Sequence, residues 1–156
     1  MVENNEAKNL AEKVIEIKRV SKKTEGGNRF SFTALMAVGD RAGTVGVGLG
    51  KAPNVRAAIE KGTRIAKKKL SKVPRSGGTI PFPMEVRCGA AHLLLRPAPS
   101  GFGIVAGGPV RAIMELAGVR DVSSKILGSR SKAANVRAIL KAFQQLQELV
   151  EKYESF

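Results

Sequence analysis

The chain predicts an α+β protein built from two small units in series. Three observations carry that expectation. Strand-like stretches of period two fill residues 14–50 and lead into one amphipathic helix; the run Val73-Pro74-Arg75-Ser76-Gly77-Gly78 then breaks the pattern; a second set of short strands and two helices follows. At 156 residues and 43% apolar content the chain can bury a core without disulfide or metal staples.

Taken in order, residues 1–11 are polar and aperiodic and predict a flexible arm. Val14, Ile15, Ile17 and Val20 predict a strand over 14–22 with imperfect alternation, broken by Gly26-Gly27. Phe30, Phe32, Ala34, Met36 and Val38 share one parity and Arg29, Ser31 and Thr33 the other, which predicts a half-buried strand with both phenylalanines in the core. After a turn over 39–43, Val45, Val47 and Leu49 point one way while Gly46, Gly48 and Gly50 leave the other face bare. Bare backbone marks close approach, either by a packed helix or by an RNA backbone. Pro53 then suits the first turn of a helix reaching about Lys72, with Val55, Ile59, Gly62, Ala66 and Leu70 along its apolar stripe. The first unit is therefore expected to span 12–75.

A second unit is expected over 79–150. It offers strands at 84–88 and 92–96, a glycine-rich loop at 101–108, and a helix from Pro109 that Gly118 caps. A strand over 119–127 precedes a last helix from 133 to about 150, which buries Val136, Ile139, Leu140, Phe143, Leu146 and Val150. Residues 151–156 predict a flexible tail.

Charge points to the partner. The chain carries 27 Lys and Arg against 13 Asp and Glu, a net +14, which implies an acidic surface: nucleic acid first, an anionic membrane second. Residues 1–75 hold 17 basic and 7 acidic residues, and from Lys51 to Arg75 nine basic residues meet only Glu60. On a helical wheel Arg56, Lys61, Arg64, Lys67, Lys68 and Lys72 lie opposite the apolar stripe. A merely solvated face mixes signs, so this one predicts a phosphate footprint. Lys22, Lys23 and Arg29 surround Gly26-Gly27 and predict a basic finger that enters a groove or junction of RNA. Aromatic residues make up only 4% of the chain, which suits a structured RNA backbone better than unpaired bases stacked on rings.

Catalytic signatures fail one by one. Cys88 stands alone, so no disulfide, thiolate metal cluster or redox pair is available, and it is expected to be a packing residue. His92 is the single histidine and shows no second base or carboxylate cluster in the sequence around it. The stretch 45–52 fails as a P-loop, because Val45 stands where a glycine is required and Ala52 where Ser or Thr would hold magnesium. Gly101-x-Gly103-x-x-Ala106, with Asp121 beyond it, matches the dinucleotide fingerprint, yet Pro97 and Pro99 lengthen the connection and no series of parallel strands and helices follows. An RNA phosphate on that helix's amino end and tight loop packing are both open readings of the glycines. No catalytic residue, metal or cofactor is expected. Met1-Val2-Glu3-Asn4-Asn5-Glu6 lacks signal-peptide character and no apolar run reaches about 20 residues, which predicts a cytoplasmic chain.

Several segments together resemble the bacterial small-subunit ribosomal protein five family. They are Arg19-Val20-Ser21-Lys22 before Gly26-Gly27, Arg29-Phe30-Ser31-Phe32-Thr33-Ala34-Leu35, Val38-Gly39-Asp40 and the run from Gly43 to Ala52. Leu95-Arg96-Pro97-Ala98, the run from Gly103 to Gly108, Glu115-Leu116-Ala117-Gly118-Val119 and Gly128-Ser129 continue it. The resemblance implies a βββα first unit similar to double-stranded-RNA-binding domains and the family's α+β second domain. It implies a structural constituent of the small ribosomal subunit that binds its RNA, touches ribosomal proteins four and eight, lies near the messenger entry path, and supports assembly and translational accuracy. By the match, Arg19, Ser21, Lys22, Gly26, Gly27 and Arg29 carry the loop's RNA role beside the spectinomycin site, and Gly103 and Arg111 fall near the surface facing protein four. Glu25 and Asn28 depart from the basic residues usual in that loop. With Lys23, Lys51, Arg56, Lys61, Arg64, Lys67 and Lys68 added from the charge pattern, these are the expected RNA contacts. The competing readings are a free-standing double-stranded-RNA chaperone and a nucleotide-binding enzyme using the 101–108 loop.

Overall fold

The β-branched and aromatic residues of the first fifty positions form three long strands. A computed structural model describes residues 10–154; residues 1–9 of the arm expected over 1–11 and the last two residues of the expected tail lie outside the described residues, while Ala11 already opens the first strand. Strand β1 (Ala11–Thr24) pairs antiparallel with β2 (Gly27–Gly39), and β2 with β3 (Thr44–Ala52). The imperfect alternation of β1 has a local cause, since its register shifts between Val14 and Glu16 and leaves Ile15 unpaired, packed against the larger core.

Helix α1 (Val55–Lys68) starts later and stops earlier than its periodicity predicts. Asn54 is the cap, its Oδ1 accepting from the Ala57 N–H at 2.7 Å, and this places Pro53 outside the helix rather than in its first turn. At the other end Ser71–Lys72 forms β4, pairing with Thr44 and Val45, because those backbone groups find partners on the open edge of β3. The sheet order is β1-β2-β3-β4.

Over its inner half, residues 34–39, β2 is covered on both sides, so the expectation of a half-buried strand is corrected there. Ala34 and Met36 meet α1, whereas Leu35 and Ala37 enter a second, larger core. The buried line of α1 also differs from the expected stripe. It consists of Ala58, Gly62, Thr63 and Ala66, with Val55 exposed and Ile59 only half-buried. Small side chains line it because α1 lies directly on the glycine row of β3. A Cβ on Gly46, Gly48 or Gly50 would stand 2.3, 2.4 or 2.2 Å from the carbonyl oxygens of Ala66, Gly62 and Ala58. Of the two open readings of that bare face, the packed helix is the one that holds.

The second sheet contains β5 (Met84–Cys88), β6 (Ala91–Pro97), β7 (Ile104–Val105) and β8 (Val122–Ile126) in the order β5-β6-β8-β7. Helix α2 (Gly108–Ala117) ends at Gly118, where Val119 N–H bonds the Met114 carbonyl; this closure shortens the strand expected from 119. Helix α3 (Lys132–Glu154) buries Val136, Ile139, Phe143 and Leu146 as expected, with Leu140 and Val150 half-buried, and it runs past the expected end into the predicted tail. Half-buried Cys88 packs against the same core.

Helix α2 is the hinge point of the architecture, with β1, β2 and β3 on one side and α3 and β7 on the other. Leu116, Ile113 and Met114 join Leu35, Ala37 and Val45 of the first sheet to Leu93, Leu95 and Val122 of the second in one continuous core. Backbone bonds tie the units at the same place: Arg41 N–H donates to the Leu116 carbonyl at 2.8 Å and Gly43 N–H to that of Ala117 at 3.0 Å.

Candidate nucleic-acid interface

Strand β3 ends opposite Phe32, so β1 and β2 continue beyond it as a two-stranded ribbon supported only by each other. At about 3.4 Å per residue the ribbon projects roughly 17 Å past the sheet. Every residue from Ile17 to Phe30 is exposed, and the tip closes through Thr24 Oγ1 donating to the Gly27 carbonyl at 2.8 Å. Phe30 is 47% exposed, which corrects its expected burial: it lies on the ribbon, beyond reach of α1. The Arg19 guanidinium carbon sits 3.9 Å from the centre of its ring, while Phe32, two residues inward, packs against the α1 core.

Pairing sorts the ribbon's predicted contacts onto two faces. Arg19, Ser21 and Lys23 lie opposite Phe32, Phe30 and Asn28, on the face that continues toward α1. Lys22 and Arg29 face each other across the strands on the other side. Two cations in direct register destabilise a free hairpin, and nearby anionic charge relieves them. Glu25 and Gly26 form the turn between Thr24 and Gly27, with no heavy atom within 4 Å of a Cβ at Gly26 or Gly27.

On α1 the residues Arg56, Lys61, Arg64, Lys67 and Lys68 are all exposed. Two are partly occupied: Arg56 pairs with Glu60 at 3.5 Å and Lys67 with Glu12 of β1 at 3.4 Å. Lys61 Nζ donates to the Lys51 carbonyl at 3.4 Å, and by register Lys51 belongs to the pleat face opposite the glycine row. Within the described residues Arg64 and Lys68 form no ion pair. They are the freest cations of the helix face.

In the second unit Gly103 has φ +82° and its N–H donates to Asp121 Oδ1 at 2.9 Å, so the acid of the apparent dinucleotide fingerprint is engaged within the loop itself. Apart from β7 alongside β8 the sheet is antiparallel, which is not the doubly wound arrangement that fingerprint requires. His92 is half-buried beside Glu85 on β5, whose Oε1 contacts its Nε2. That neighbour was not legible from the sequence, where the two lie seven residues apart on separate strands. No group of three metal-ligating side chains occurs among the described residues, and no helix of theirs is long and apolar enough to cross a membrane.

Arg111 on α2 bonds Glu115 at 3.1 Å, and Glu115 also pairs with Lys13 of β1. The Lys13 hydrogen bond, then that of Arg111, hold the Glu115 carboxyl below its ordinary pKa, outweighing the opposing effect of burial. The structure also gathers cations that no spacing in the chain brings together. Arg41, Arg75 and Arg120 join Arg111 around a cleft between the two units, and Ile104, next to Gly103, lines it too.

Comparison with protein-family models adds two matches. Residues 10–74 match the model described as ribosomal protein S5, N-terminal domain, and residues 86–155 match ribosomal protein S5, C-terminal domain. The first match covers the strands and basic helix of the first sheet, and the second covers the second sheet from within β5 together with α2 and α3.

Proposed function

Because the chain belongs to the ribosomal protein S5 family, we propose that it is a structural constituent of the small ribosomal subunit that clamps small-subunit ribosomal RNA. The carrying observation is the ribbon that projects past the core with Lys22 opposite Arg29, an arrangement suited to a polyanion on both sides. The ribbon enters a groove or junction through Arg19, Ser21, Lys22, Lys23, Gly26, Gly27 and Arg29. Helix α1 lays Arg56, Lys61, Arg64, Lys67 and Lys68 along phosphates, with Lys51 at the strand end beside it. The work is positional: it neutralises phosphate, holds RNA elements and neighbouring proteins in register, and so supports assembly and decoding accuracy without catalysis. Ribosomal proteins four and eight are the proposed neighbours, with Gly103 and Arg111 toward protein four, and the cytoplasmic ribosome is the proposed location.

The experiment is a salt titration of binding to small-subunit RNA fragments. Arg64→Gln with Lys68→Gln removes the two helix cations without internal partners, and each lost phosphate contact lowers the slope of log K against log salt by about 0.9. An unchanged slope removes α1 from the interface. Sedimentation with small subunits after a high-salt wash is the companion test, and a chain found only in the supernatant would instead be a free-standing double-stranded-RNA chaperone.

A further inference from the structure

We propose that the groove between α1 and the open edge of β1 is a docking site for a protein: an extended segment of alternating apolar and acidic residues that adds to β1 as a further strand. The glycine row that seats α1 creates the groove. Because Gly46, Gly48 and Gly50 lie against the carbonyls of Ala66, Gly62 and Ala58, the helix is drawn over β3 and β2 and barely reaches β1. Register carries these levels across the sheet. Gly48 pairs with Met36 and Met36 with Val14, while Gly50 pairs with Ala34 and Ala34 with Ile17. Met36 and Ala34 meet α1, so Val14 and Ile17 lie on the helix side of β1, yet they are 47% and 42% exposed because α1 stops short of them.

The groove holds about 510 Å³, with half-buried Ile59 and Thr63 on its helix side. Thr63 is 8% exposed and its hydroxyl has no hydrogen-bond partner. Helical threonine has two accessible χ1 rotamers, so that hydroxyl can turn toward an incoming backbone group. The two acids of the lining are already answered, Glu12 by Lys67 and Glu60 by Arg56. Arg64 and Lys68 are left without an ion pair among the described residues, and Lys18, Arg19, Lys22 and Lys23 continue the positive charge along β1.

Strand β1 stands at the end of the sheet order, so one row of its N–H and C=O groups has no strand beside it, and every residue from Ile17 to Thr24 is exposed. RNA carries no alternating donors and acceptors with which to extend a sheet, and Val14 and Ile17 offer nothing to a phosphate. An extended protein segment supplies both the backbone ladder and the apolar side chains. A second copy of the chain brings the same net +14 and the same edge cations and is repelled, whereas acidic residues meet Arg64, Lys68 and the β1 cations. Arg64 and Lys68 also belong to the proposed RNA face, so the segment occupies the unassembled chain and RNA displaces it; only this competition rests on the proposed function.

The test follows the methyl signals of Val14, Ile17 and Ile59 and the exchange of the β1 amides in the full chain. The probes are a short peptide alternating valine and glutamate, its valine–lysine counterpart, the first peptide with a central proline, and a small-subunit RNA fragment. The valine–glutamate peptide should move the methyls and slow the β1 amides. Val14→Lys with Ile17→Lys, both at exposed positions, should weaken its binding by about tenfold or more while sparing RNA binding. Leu49→Lys, at an exposed position on the opposite face of the sheet, should leave the peptide bound. Adding RNA should release the peptide. Equal binding by the lysine or proline peptide, methyl shifts that follow protein concentration alone or RNA alone, no shift at all, or an unaffected Val14 and Ile17 variant each overturns the proposal. A peptide retained while α1 holds RNA overturns the competition. Failure of the peptide leaves the proposed function standing, and failure of RNA with the peptide still seated sinks that function and leaves the groove.

Discussion

A Cβ at position 50 would lie 2.2 Å from the Ala58 carbonyl oxygen, so Gly50→Ala must push strand and helix backbones apart. Overpacking between two backbones has no flexible side chain to absorb it, and the expected loss is about 2–3 kcal/mol, read as a lower urea midpoint with unchanged slope. An unmoved midpoint would mean that α1 shifts on the sheet at little cost. Glu115 gives a prediction with a sign. Its folded pKa is depressed by Lys13 and Arg111, so its contribution is complete above the unfolded value of about 4.3 and disappears as pH falls through the lower folded value. Glu115→Gln should therefore lose about 0.5–1 kcal/mol at neutral pH and converge on the parent in acid. Equal losses at both pH values would assign the effect to packing. These residue-scale contacts were only partly legible in the sequence: the glycine row announced a close approach, but nothing local paired Lys13 with a residue a hundred positions away.

At the scale of elements, the ribbon and α1 present cations in different ways. On the ribbon, strand register puts Lys22 against Arg29. Lys22→Glu should convert repulsion into attraction, stabilising the free chain by about 0.2–1 kcal/mol while weakening its binding to ribosomal RNA fragments. Thermal melting and a binding titration on the same sample check this, and a variant that gains on both counts would remove the ribbon from the RNA interface. On α1 the helical period was legible but the ends were not. Asn54 outcompeted Pro53 as the start, and the free edge of β3 drew Ser71 and Lys72 out of the helix. The helix's buried line was only partly legible, Gly62 and Ala66 of the expected stripe being buried and Val55 exposed, for the same reason the glycines matter. Against bare backbone, Ala58, Gly62 and Ala66 fit closer than the larger side chains of the apolar stripe.

Across the whole molecule, α2 joins two sheets through a shared core, and this makes the units mutually dependent. Leu116, fully buried at that junction, is the residue to remove: Leu116→Ala should cost about 2–5 kcal/mol. The slowest-exchanging amides of the two sheets should share one opening free energy in the parent and fall together in the variant. If only the second sheet lost protection, the units would be independent folding domains. The same junction leaves Arg41, Arg75, Arg111 and Arg120 around one cleft.

By itself the sequence determined the α+β class, the two-unit order, the basic character and the resemblance to a ribosomal family, because composition, period and short motifs are local properties that survive without coordinates. Tertiary structure alone decided that the inner half of β2 is buried on both faces, that Phe30 stands in solvent, that Lys67 answers Glu12 and that three arginines without a carboxylate partner among the described residues line one cleft. Each of those depends on which distant segment packs or pairs beside a residue, and that is set by the summed burial of the whole chain rather than by the pattern around any one position.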